Sequence, residues 1–113
     1  MVTNTQIAEY VQNLAREFSP EKVVLFGSYA GGKPTRDSDV DLLVIMNHRR
    51  RKNVHQAVDI DLRLRRSFPL DLIVRRPLEI RRRMAMNDFF LKTVLTRGKV
   101  LYEHRTHRVD TEG

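Results

Sequence analysis

The stretch Asp39-Val40-Asp41-Leu42-Leu43-Val44-Ile45-Met46 constrains the chain more than any other. Its far half is apolar at every position. Strand side chains alternate between two faces, so a continuous apolar run leaves no face for solvent. The segment therefore reads as a central strand. Its near half is different. Asp39 and Asp41 stand two apart, so both point to one face, ~7 Å apart along the strand. Like charges that close push one pKa up, and burial adds a desolvation cost. Such a strand needs a compensating cation, and a divalent metal supplies one.

The rest of the chain surrounds this strand with alternating patterns. Thr5 to Phe18 carries Ile7, Val11, Leu14 and Phe18 at helical spacing, with Thr3 or Thr5 as its cap and Ser19-Pro20 as its stop. Lys22 to Phe26 is a short β-branched-rich run and reads as a strand. Gly27-Ser28 breaks it, with Ser28 placed to cap a helical turn through Tyr29 and Ala30. Residues 31–38 have loop composition. Val54 to Phe68 reads as a helix with Ala57, Val58, Leu62 and Leu64 on its buried side. Leu70 to Val74 is a third strand, and Pro77 opens a helix through Ile80 and Met84. Asn87 or Asp88 starts another, containing Phe89, Phe90, Val94 and Leu95. Gly98 ends it, and Lys99 to Tyr102 is a fourth strand. The order predicts an α/β domain, with helices packed on a small mixed sheet of about four strands.

The domain is expected over residues 1–103, with a polar tail at 104–113 that frays. At 113 residues the chain suits one core. It has no cysteine, which excludes a disulfide framework, a thiolate zinc site and a cysteine nucleophile. No secretory signal and no run long enough to cross a bilayer is seen, so a soluble, cytoplasmic protein is expected. The formal charge of +7 favours anionic partners. It is concentrated in Arg49-Arg50-Arg51-Lys52 and Arg81-Arg82-Arg83. Aromatic residues make up only 7% and do not interleave with these runs, so a stacking platform for single strands is poorly supported.

Asp71 adds a third carboxylate inside an otherwise apolar strand. If that strand lies beside the second, all three reach one site. Three carboxylates without a thiolate form a hard oxygen site, suited to Mg²⁺ or Mn²⁺. Gly27 lets the backbone approach a ligand closely, and Ser28 opens a helical turn whose free N–H groups and hydroxyl suit phosphate. Phosphate cradle and metal carboxylates together describe a site for a metal–nucleoside triphosphate. Gly-Ser followed after ten residues by Asp-x-Asp would arise by chance about once per thousand chains of this length. Other candidates are weaker. His104 and His107 lack a third ligand, and Asp59 and Asp61 read as helix surface. Met84, Met86, Phe89 and Phe90 read as core or partner surface.

Val24-Leu25-Phe26-Gly27-Ser28 with Asp37-Ser38-Asp39-Val40-Asp41-Leu42-Leu43-Val44 resembles the motif of the minimal nucleotidyltransferases, within the DNA polymerase beta superfamily. Arg97 to Glu103 is similar to their usual C-terminal end. The resemblance implies that Gly27 and Ser28 hold the outer phosphates of ATP. It implies that Asp39 and Asp41 bind two divalent ions, Mg²⁺ or Mn²⁺. Asp71 would bind one of them and help deprotonate an acceptor hydroxyl. One position departs from the pattern. Many relatives carry an arginine where this chain has Gly31, so either a phosphate contact is missing or Lys33 or Arg36 replaces it.

Relatives that modify antibiotics or RNA generally bring a second domain for the acceptor, which leads to the expectation that the acceptor here arrives on a partner. The resemblance implies an antitoxin paired with a HEPN-type toxin, in a hetero-oligomer, that attaches AMP to a toxin tyrosine. Two rivals remain: a non-catalytic binding antitoxin of the same fold, and a nucleotidyltransferase acting on RNA ends.

Overall fold

The computed structural model describes residues 1–104, so the tail from 105 onward, with His107, lies outside the described residues. The elements run α1 (Asn4–Phe18), β1 (Lys22–Phe26), α2 (Ser28–Gly31), β2 (Val40–Ile45), α3 (Asn53–Arg63), β3 (Leu70–Arg75), α4 (Pro77–Ala85), α5 (Phe89–Arg97) and β4 (Lys99–Glu103). This is the order expected from the patterning. The strands form one mixed sheet, β3-β2-β1-β4. β1 pairs antiparallel with β2 and β4, and β2 pairs parallel with β3. The apolar β2 is thus an inner strand. Parallel pairing demands a crossover, and α3 provides it.

Strand alternation divides the core in two. Val23, Leu25, Leu42 and Val44 face α1 and α3, where Leu14 and Ile60 are fully buried. Val24, Leu43 and Ile45 face α4 and α5, against Ile80, Leu91 and Val94. Each fully buried side chain of this size contributes about 1.5–3 kcal/mol. The chain therefore covers both faces of its central strands, as a β2 without a solvent face requires.

Local chemistry sets the element ends. Thr3 caps α1 through a reciprocal capping box with Gln6. Ser19 leaves the helix in a left-handed conformation, φ 49°. Pro77 stands at the start of α4, and the Asp88 carboxylate accepts from the Leu91 N–H to open α5. Gly98 closes α5 under tight packing. A Cβ there would lie 2.5 Å from the Val94 carbonyl and 2.7 Å from Val24 Cγ1.

Two expectations are corrected. Ser28 does not cap α2: Gly27 is the capping residue, Ser28 is the first helical residue, and no side-chain cap forms. The helix expected over Val54–Phe68 ends at Arg63. Its buried residues are Gln56 and Ile60, whereas Val58 is 50% and Leu62 81% exposed. Leu64 and Phe68 still bury, but from the irregular segment that follows the helix. With Ile60 they recur every four residues and so mimic a longer helix. The Arg66 guanidinium holds this segment by donating to Asp61 and to the Phe68 carbonyl.

Candidate functional site

β1 and β2 form an antiparallel pair in which Phe26 stands opposite Asp41. The residue after Phe26 is Gly27, so the turn out of β1 meets the carboxylate at the entry of β2. The fit leaves no room for a side chain. A Cβ at Gly27 would lie 2.1 Å from Asp41 Oδ2, and Gly27 has φ +74°. Both facts require glycine. Ala30 and Gly31 donate their N–H groups to the Gly27 carbonyl, and Lys33 donates to the Ser28 carbonyl, which fixes the short α2 turn.

β3 completes the acidic cluster. In the parallel register Asp41 pairs with Asp71, Leu43 with Ile73 and Ile45 with Arg75. Asp41 and Asp71 therefore share the face that farther along carries Leu43 and Ile73. Asp39 lies just before β2, where alternation puts it on the same face. Burial first, then Asp71 and Asp39, push the Asp41 carboxyl above its usual range. Among the described residues none of the three carboxylates has an ion-pair partner or a side-chain hydrogen bond. Asp39 and Asp71 are exposed and Asp41 is half-buried.

The donor set fits a hard divalent cation: oxygen ligands only, clustered negative charge and no compensating cation. The side chains do not yet converge. Among the described residues no three His, Asp or Glu side chains stand close enough to hold one ion. Nothing pins the Asp39 and Asp71 carboxylates, so they are free to turn toward a bound cation.

Lys33 and Arg36 are both exposed, on the loop between α2 and β2. A turn in which the Thr35 N–H donates to the Ser38 hydroxyl and the Ser38 N–H to the Thr35 carbonyl holds Arg36 close to Asp39 in the chain. His104, by contrast, donates its N–H to the Glu21 carbonyl at the other end of β1. Asp59 and Asp61 pair with Arg50 and Arg66 at the surface.

A cavity of about 380 Å³ adjoins the Gly27 turn, between α2 and α5. Its lining includes Phe26, Gly27, Gly31, Phe90 and Arg97. Phe90 meets Phe26 edge-on, with centroids 5.6 Å apart. Motif reading missed this wall, because α5 reaches the turn only through tertiary packing. A larger cavity, about 720 Å³, lies elsewhere, between α1 and β4 on the opposite face. Its lining carries no carboxylate, so size alone does not mark the reactive centre.

The family model of the nucleotidyltransferase domain matches residues 6–101. The chain belongs to that family. A crystal structure from Sulfolobus solfataricus, provisionally described as a nucleotidyltransferase, is similar to it, with 25% identity and a TM-score of 0.61. The match covers 88% of this chain and 79% of that one. No curated protein matches significantly. Among the described residues no helix is long and apolar enough to cross a membrane. The family implies a nucleotide substrate.

Proposed function

We propose that the chain transfers AMP from ATP to a tyrosine hydroxyl of a partner protein, a HEPN-type toxin, and acts as its antitoxin. The observation that carries the reading is the cluster of Asp39, Asp41 and Asp71, with no basic side chain paired to it among the described residues, against a turn that only glycine fits. Clustered charge of this kind costs stability and has no value to a pure binding module. Its use is to hold divalent ions.

Asp39 and Asp41 would hold two Mg²⁺ or Mn²⁺ ions, with Asp71 sharing one. Bound there, the ions supply charge neutralisation at the attacking and leaving oxygens. Gly27 and Ser28 orient the outer phosphates. The acceptor oxygen attacks the α-phosphorus in line, the bond to the bridging oxygen breaks, and pyrophosphate leaves. Asp71 takes the acceptor proton, which requires hydrogen-bond reach to that hydroxyl. Exposure of Asp39 and Asp71 leaves the acceptor side open to a macromolecule.

The motif's resemblance supports the toxin as acceptor. The alternative of RNA ends draws little from the basic runs. Arg49 to Lys52 follows the far end of β2, about 20 Å along the strand from Asp39. Arg50 is engaged there by Asp59, and its carbonyl accepts from Arg76.

Intact-protein mass spectrometry tests the reading. The chain is mixed with the candidate partner, ATP and Mg²⁺, beside Asp39→Asn and Asp41→Asn. The expected result is a gain of one AMP unit, or a multiple, on the partner, absent with either variant. A silenced partner without a mass gain would instead identify a non-catalytic binder. Undiminished transfer by Asp39→Asn would sink the metal assignment.

A further inference from the structure

We propose that Arg97 is the cation that holds the outer phosphates of the nucleotide, reaching them across the cavity between α2 and α5. The inference rests on the nucleotidyltransferase reading and adds a binding residue to it from an unexpected element. Three observations meet at this cavity.

The cavity shares Gly27 with the carboxylate cluster, because Gly27 lines it and abuts Asp41. A nucleotide with its α-phosphate at the carboxylates therefore has this space beside its tail. Arg97 is the one cationic residue on the lining, and among the described residues it has no ion-pair partner. Neither Lys33 nor Arg36 lines it. Finally, the floor is bare at Gly31, where an added Cβ would meet no atom within 4 Å.

Charge and geometry then point the same way. Divalent ions held by the carboxylates would neutralise the α-phosphate end, and a cation would complement the Gly27–Ser28 turn at the outer phosphates. A guanidinium offers two parallel N–H donors that match a phosphate edge. Phe26 and Phe90 form an apolar wall of the same cavity. A purely local alternative exists. Arg97 lies in the last turn of α5, where a cation also favours the helix dipole. That role would affect the melting temperature and be blind to phosphate.

Isothermal titration calorimetry separates the two. The probes are α,β-methylene-ATP with Mg²⁺, inorganic tripolyphosphate with Mg²⁺, and AMP. Arg97→Gln should weaken the first two about tenfold and leave AMP within about twofold. Gly31→Arg, placed in the Arg97→Gln background, should restore most of the loss by returning a cation to the same cavity. If the wild-type chain binds the ATP analogue and Arg97→Gln binds it equally well, the proposal is overturned. Equal weakening of AMP would also overturn it, by moving Arg97 to the nucleoside end. If the wild-type chain binds none of the three probes, the nucleotidyltransferase reading itself fails, and the proposal with it.

Discussion

Replacing Asp41 by asparagine should stabilise the metal-free protein while abolishing transfer. Asp41 and Asp71 are register partners on adjacent strands, where backbones run about 5 Å apart. Two unit charges at that distance repel by about 1–2 kcal/mol at an effective dielectric of about 40–80. Asp41 is only half-buried, so the lower end applies, about 1 kcal/mol. For a domain of this size that is a rise of about 4 °C in Tm. The sign follows from the raised carboxyl. A group whose folded pKa lies above its unfolded one contributes stability fully below the unfolded pKa, and loses it as pH rises through the folded one. The advantage of Asp41→Asn should therefore vanish near pH 3 and be complete near pH 7. Differential scanning calorimetry in EDTA at low salt measures it. Added Mg²⁺ should raise the wild-type Tm and leave the variant unmoved, closing the gap. A lower Tm for Asp41→Asn at pH 7 in EDTA would refute the reasoning, because the carboxylate would then be a structural acceptor.

Gly27→Ala should cost about 1–3 kcal/mol in urea denaturation, because φ +74° strains any L side chain. It should also cut transfer far more than stability, since the new Cβ displaces the Asp41 carboxylate; wild-type turnover in a radiolabelled AMP assay would contradict this. Gly98→Ala should cost about 2–4 kcal/mol, because the Cβ meets backbone at 2.5 and 2.8 Å as well as Val24. An unchanged urea midpoint would show that α5 and β4 can part cheaply. Tyr10→Phe should be neutral or stabilising by up to about 1 kcal/mol. Among the described residues its buried hydroxyl has no partner, and desolvation, reinforced by Asp61, pushes its pKa up to about 12. A loss above about 1 kcal/mol would reveal a hydrogen bond to that hydroxyl.

Much of the architecture was legible because strand and helix periods differ so clearly in this chain. Val23–Leu25 and Leu42–Ile45 are too short and too apolar for surface helices, and the helical spacing of Ile7, Val11 and Leu14 is unambiguous. α3 was harder. Its buried face includes Gln56, whose Nε2 lies 3.9 Å from Met46 Sδ, and a hydrophobic pattern cannot register a polar core residue. Its apparent continuation through Leu64 and Phe68 came from an irregular segment that buries the same two side chains. At the candidate site, local spacing pointed to Gly27, Ser28, Asp39 and Asp41. Asp71 required only the guess that β3 flanks β2. Phe90 and Arg97 lay beyond reach, because no local pattern places the end of α5 beside a turn some seventy residues earlier.

The spacing of the motif has a mechanical reason. β1 must leave the sheet at Gly27 and return as β2 with Asp41 opposite Phe26. The intervening residues make one helical turn and a second turn pinned by Thr35 and Ser38. They bring the chain back in register. A slip of one residue would reverse the faces of β2. Asp39 and Asp41 would then enter the apolar layer under α1 and α3, while Val40 and Leu42 would face the cavity side. Burying unpaired carboxylates there is far costlier than leaving them at the rim. The same acidic pair that we propose holds the cations therefore also selects the register, and the hydrophobic pattern of Leu42 to Ile45 enforces it from the other side. Fold and site are specified by one stretch of chain, so a substitution such as Asp41→Leu would test both at once. It should retain the sheet, lose transfer, and weaken the preference for this register over its one-residue slip, visible as faster amide exchange along β2 relative to Asp41→Asn.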